Sequence, residues 1–148
     1  MIDKIIAATL YTLSLIPNNT LTRPPQLKPY TPNNAKTIME IYESVYDTKF
    51  NRFKHVKFYH GTKEAVEKSC DLGLGVLACT GPFSPNIRVR TTHMNDCDTI
   101  AHELLHNIIF ELGPAKAQVN HHTKNFYKIV DAVCDIDEYY KKKTIIVN

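Results

Sequence analysis

The chain has 148 residues, 43% of them hydrophobic and 22% charged, with only five glycines. That composition excludes a disordered or collagen-like polymer and suits a single globular domain with a real but modest core. The formal net charge of +3, histidines counted neutral, permits an acidic partner but lacks the strong basic bias of a dedicated nucleic-acid binder.

From Met1 to Ile16, Lys4 precedes an apolar run with the outline of a signal peptide, too short to span a bilayer. Ile5, Ile6, Leu10, Leu13 and Ile16 fall on one side of a helical wheel, and no small-x-small cleavage site follows. A signal sequence has no need of amphipathicity. A packing helix is therefore expected, with no stable membrane insertion. Pro17, Pro24, Pro25, Pro29 and Pro32 then forbid helix and favour an extended strap. Residues 1–33 read as this helix and connector, ahead of one domain over 34–148.

Asn34 can cap a helix from Ala35 to about Asp47, with Ile38, Ile41, Tyr42 and Val45 on its buried face. His55 to His60 alternates and predicts a strand closed by Gly61; Thr62 to Lys68 predicts a short helix. Gly73 to Thr80 is a compact apolar strand, followed by a turn from Gly81 to Pro85. Asn86 to Thr92 alternates again, Ile87 and Val89 facing one way, Arg88 and Arg90 the other. These segments predict an α+β fold with a small three-stranded antiparallel sheet between helices. Cys70, Cys79, Cys97 and Cys134 form no C-x-x-C pair, which speaks against a zinc ribbon. Scattered in this way, they are expected to be buried thiols in a reducing, intracellular compartment, cytoplasmic or nuclear.

The next helix carries the chemistry. Asn95 or Asp96 can cap it, Asp96 and Asp98 sit in its favourable first turn, and Gly113-Pro114 ends it. Within it, His102-Glu103-Leu104-Leu105-His106 is an HExxH motif. Residues four apart lie on one helical face, so two imidazoles can share a zinc ion while Glu103 takes a proton from water. A catalytic zinc needs a third ligand, and Glu111, His121, His122, Asp131 and Asp135 are the candidates downstream. Glu111 is too close on the same helix for the chain to return. In a second helix, about His121 to Tyr140, Phe126, Ile129, Val130 and Val133 form the apolar face. His122 lies four before Phe126 and points inward. His121 falls with Lys124, Asn125 and Lys128 on the polar side, which makes it a solvated neighbour.

Asp98 to His106, followed after a loop by His121-His122-Thr123-Lys124-Asn125-Phe126, resembles the SprT-like metalloproteases, a zincin-like family that includes Spartan. Their HExxH is followed by an H-G-x-x-F element at a similar gap, and the helix and strands before it come in the same order, so the likeness covers about Asn34 to Asp137. It implies zinc on His102, His106 and His122, Glu103 as general base, and proteolysis of a protein substrate, in eukaryotic members one crosslinked to DNA. Thr123 stands where the family usually has glycine, and the sequence holds no C-x-x-C pair of the kind many members carry.

Two further sets of residues bear on mechanism and partners. His121, Asn125 and Tyr127 are candidates to stabilise an oxyanion, and Asp135 or a backbone carbonyl to orient an imidazole. Arg52, Lys54, Lys57, Arg88, Arg90 and Lys141 to Lys143 could contact DNA phosphates if they met on one surface. The alternatives are a non-catalytic module in which zinc staples two helices, binding DNA or protein, and a zinc protease cutting a repressor or a host defence factor.

Overall fold

A computed structural model describes residues 26–147, so the amphipathic N-terminal segment and most of the proline-rich connector lie outside the described residues. In chain order the elements are β1 (Lys28–Tyr30), α1 (Ala35–Val45), α2 (Asn51–His55), β2 (Phe58–Gly61), α3 (Lys63–Cys70), β3 (Ala78–Gly81) and β4 (Ser84–Arg90). A 3-10 turn (Thr91–His93), α4 (Cys97–Leu112), α5 (Pro114–Ala117) and α6 (Lys124–Val147) follow.

The fold is α+β, but its sheet has four strands in the order β1-β2-β4-β3 and is mixed, which corrects the three-stranded antiparallel expectation. β1 pairs antiparallel with β2, β2 parallel with β4, and β4 antiparallel with β3. The added strand comes from the end of the connector. Pro29 lacks an N–H, yet β1 is an edge strand whose outer edge needs no partner, so the proline is tolerated opposite Tyr59. The parallel pairing arises because α3 and β3 intervene between β2 and β4. The strand boundaries shift as well. His55 closes α2, and Gly73 and Gly75 take φ of +99° and +87°, so the stretch before Ala78 is a loop.

At the centre lies α4. Ile100, Ala101, Leu104, Leu105, Ile108 and Ile109 are buried against Phe126, Val130 and Val133 of α6, Ile38 and Tyr42 of α1, and Ile87 of the sheet. Each large side chain so enclosed contributes about 1.5–3 kcal/mol of burial free energy. Polar bonds fix the position of the helix. The Tyr42 hydroxyl donates to the Ala101 carbonyl at 2.8 Å, one residue before His102. Glu111 accepts the main-chain N–H groups of Asn51 (3.0 Å) and Arg52 (2.6 Å), capping α2. The Asp96 side chain accepts from Thr99 N–H and caps α4, as its position suggests. Pro114 both ends the motif helix and opens α5, where its missing N–H is harmless.

The cysteines are not thiols. Cys70 is bonded to Cys79, joining α3 to β3, and Cys97 to Cys134, joining the first residue of α4 to α6. Sequence spacing could not reveal this, because each partner is supplied by a different element. Among the described residues no helix is long and apolar enough to cross a membrane.

Candidate metal centre

His102 and His106 project from α4 toward His122, which sits in the loop just before α6. Their Nε2 atoms form a nearly equilateral triangle, 3.0 Å from His106 to His102, 3.0 Å from His106 to His122 and 3.1 Å from His102 to His122. Three imidazole nitrogens converging on one point cannot satisfy one another by hydrogen bonds, since each neutral ring has a single proton. A tetrahedral ion with metal–nitrogen bonds of ~2.0–2.1 Å holds its ligand atoms roughly 3.3 Å apart. The triangle is within a few tenths of an ångström of that, so the three histidines fit a metal ion.

The support of the triangle is local and physical. Phe126, fully buried, packs its ring 4.8 Å from those of His102 and His106 and 5.6 Å from that of His122. His122 has φ of +56°, in the left-handed region, which costs a non-glycine residue roughly 1 kcal/mol. The turn is held by Thr123, whose hydroxyl donates to the Asn120 carbonyl at 2.9 Å and accepts from Phe126 N–H at 3.3 Å. Thr123 thus caps α6, a function that the glycine usual in the resembling family could not perform.

Burial depresses the imidazole pKa values. That of His102 is pushed down to about 4, by burial and then by His122. That of His106 falls to about 3, by burial and then by His102, His122 and His121. Both rings are therefore neutral and ready to donate lone pairs at neutral pH. Glu103 is 5% exposed, and burial raises its carboxyl to about 8, partly offset by the nearby Arg88 guanidinium.

These shifts have a consequence for the metal-free protein. The two histidines bind fewer protons folded than unfolded, so their contribution is present above about pH 6.5 and lost as pH falls toward 4 and 3. Glu103 binds more protons folded than unfolded, so its contribution is present below about 4.5 and lost as pH rises through 8. In chelator, denaturation of Glu103→Gln and wild type should give a stability difference that widens in the variant's favour between pH 5 and pH 8. Parallel pH profiles would contradict the buried placement of this carboxyl.

The triangle opens into a cleft of about 760 Å³ whose wall includes Leu72, Val76, Leu77, Thr80, Asp98, Tyr127 and Asp131. Burial, followed by repulsion from Asp96, Asp131 and Asp135, raises the Asp98 carboxyl pKa. Of the candidate oxyanion donors, Tyr127 and His121 line this cleft and Asn125 does not. The Tyr127 ring stacks on that of His122 at 6.3 Å. Two expectations are overturned. His121 is not a solvated bystander, because its Nδ1 lies 2.6 Å from Nδ1 of His106. Asp135 is exposed and contributes charge near Asp98, and the ring found against Nδ1 of His106 is that of His121.

Asn107 escaped the sequence reading, and Arg52 entered it only as a phosphate contact. Asn107, fully buried, shares the two N–H groups of its Nδ2 among Thr80 Oγ1 (3.3 Å), Pro85 O (3.3 Å) and Glu103 O (3.2 Å), and accepts from Arg52 Nε at 2.7 Å. It ties the motif helix to the β3–β4 hairpin. Arg52 also donates to the carbonyls of Gly81, Pro82 and Ser84 and lies over the Phe110 ring. Arg88 donates to Ser69, and Arg90 to the Val76 carbonyl and to Glu67. Lys141 and Lys142 pair with Asp137 and Glu138. Five of the basic residues considered for phosphate contact are thus engaged within the chain. An Asn one residue after the motif in an otherwise apolar stretch, and an Arg close to Phe50 and Phe53, were the available signals. Comparison with protein-family models, with curated proteins and with solved structures returns no match for this chain.

Proposed function

We propose that the protein is a zinc-dependent endopeptidase of the SprT-like type, with His102, His106 and His122 as metal ligands and Glu103 as general base. The observation that carries this is the Nε2 triangle at 3.0–3.1 Å, with a buried glutamate one residue from the first ligand, at the wall of an open cleft. When bound, zinc supplies Lewis acidity toward a peptide carbonyl and positive charge that favours the Glu103 carboxylate. Glu103 accepts the proton of the attacking water and returns it to the leaving amine. Tyr127, which lines the cleft, would donate toward the carbonyl oxygen, and Leu72, Val76 and Leu77 would give apolar side chains of a substrate something to pack on.

The zinc-staple alternative has less to explain. α4 and α6 already pack across the core and are crosslinked by Cys97–Cys134, so a metal is not needed to join them. Zinc-loaded protein should cleave an unfolded protein such as casein, and chelation should abolish the cleavage until zinc is restored. Full activity in chelator would sink the proposal. With Arg52, Arg88 and Arg90 engaged internally, single-stranded DNA should leave the rate unchanged. Stimulation by DNA, lost at raised salt, would instead support DNA-bound proteins as substrates.

A further inference from the structure

We infer that His121 is the positioning residue for the metal ligand His106, accepting the proton on its Nδ1 and so setting its tautomer and ring orientation. The inference rests on the three-histidine metal site and not on peptide cleavage. His106 directs Nε2 into the triangle, which leaves Nδ1 on the far side of its ring, 2.6 Å from Nδ1 of His121. Only one proton can lie between two nitrogens that close. If Nε2 of His106 is to offer a lone pair to a metal, the ring's single proton belongs on Nδ1. His106 therefore donates, His121 accepts at Nδ1, and the proton of His121 sits on Nε2.

The acceptor is itself held in place. The His121 main-chain N–H donates to Asn120 Oδ1 at 2.8 Å, and its ring lies 4.8 Å from that of Phe110. Phe110 is in turn covered by the Arg52 guanidinium, 5.2 Å from the ring centroid. The bend at His122, with φ of +56°, turns two consecutive histidines to two uses: His122 into the triangle, His121 against the back of His106. Ligand histidines commonly donate their second N–H to a carboxylate or carbonyl, and losing that partner typically weakens metal binding by 10–100-fold. Here a neutral imidazole takes the place of the carboxylate, which orients the ligand without adding negative charge beside the metal.

The test uses metal affinity, measured by chelator competition with zinc, and the visible spectrum of the cobalt-loaded protein. His121→Leu keeps bulk but has no acceptor; its zinc affinity should drop about 10–100-fold and its cobalt bands should shift. His121→Asn carries an amide oxygen near the position of Nδ1 and should stay within a few-fold of wild type, with wild-type bands. Metal-free melts of both variants report the fold, and His121→Ala gives the same comparison without added bulk should leucine disturb the loop. Wild-type affinity and bands in His121→Leu, or equal losses in the Leu and Asn variants, would overturn the positioning role. Failure of wild type to bind zinc or cobalt would overturn the metal site itself.

Discussion

Glu103→Gln should lower peptide cleavage by about 10²–10⁴-fold while leaving zinc bound and the fold intact. The substitution is nearly isosteric, and a neutral amide cannot accept the proton of an attacking water at any working pH. The rest of the site should be unchanged, because the three imidazoles are packed by Phe126, Thr123 and His121 and not by the Glu103 carboxylate. The variant also removes a buried ionisable group, so the metal-free fold should be as stable as wild type or more so above neutral pH. The measurement pairs a peptide-cleavage rate with zinc content on the same preparation. A variant that retains zinc and cleaves at the wild-type rate removes Glu103 from the mechanism. Retained zinc with lost cleavage also separates a protease from a zinc-stapled binding module, which would bind its partner equally well with either residue.

The legible part of the site was the part written in short-range spacing. His102 and His106 lie four apart on a helix whose cap and stop are strong local signals, and the structure puts them where that spacing requires. Helical periodicity points His122 inward on a face shared with Phe126. It does meet the other two histidines, but α6 begins only at Lys124, and the direction of His122 comes from a left-handed turn. The same assumption misplaced His121: extending the helix back over it put its ring on the polar side, whereas the turn folds that ring against His106. The features that stayed illegible all depend on residues far apart in sequence. Pro29 disguised an edge strand, the parallel β2–β4 pairing has no local signature, and Arg52 and Glu111 look like surface charges until the β3–β4 hairpin and α2 are in position.

Opening the Cys97–Cys134 bond should destabilise the protein by about 4 kcal/mol, against about 2.5 kcal/mol for Cys70–Cys79, from the loop-closure entropies of the two crosslinks. The difference comes from sequence separations of 37 and 9 residues, since the longer crosslink removes more freedom from the unfolded chain. Against a typical total of about 5–15 kcal/mol, the larger loss is a substantial fraction of a domain's stability. It also acts on the site. Cys97 begins the helix that carries His102 and His106, and Cys134 lies on the helix that follows His122, so the bond holds together the two elements that a metal on the three histidines would span. The paired variant Cys97→Ser/Cys134→Ser should therefore melt well below wild type and bind zinc more weakly, while Cys70→Ser/Cys79→Ser should lose less of both. Reductant should lower the wild-type melting temperature and leave a variant lacking all four cysteines unmoved. Two such bonds persist where thiols are oxidised, which is the opposite environment to the reducing one expected from the scattered cysteines. Melting of the wild type that is indifferent to reductant, with four titratable thiols in the folded chain, would contradict both crosslinks and agree with the reducing compartment expected from the sequence. It would then leave packing alone, through Phe126, Val130 and Val133, to hold α6 against the motif helix.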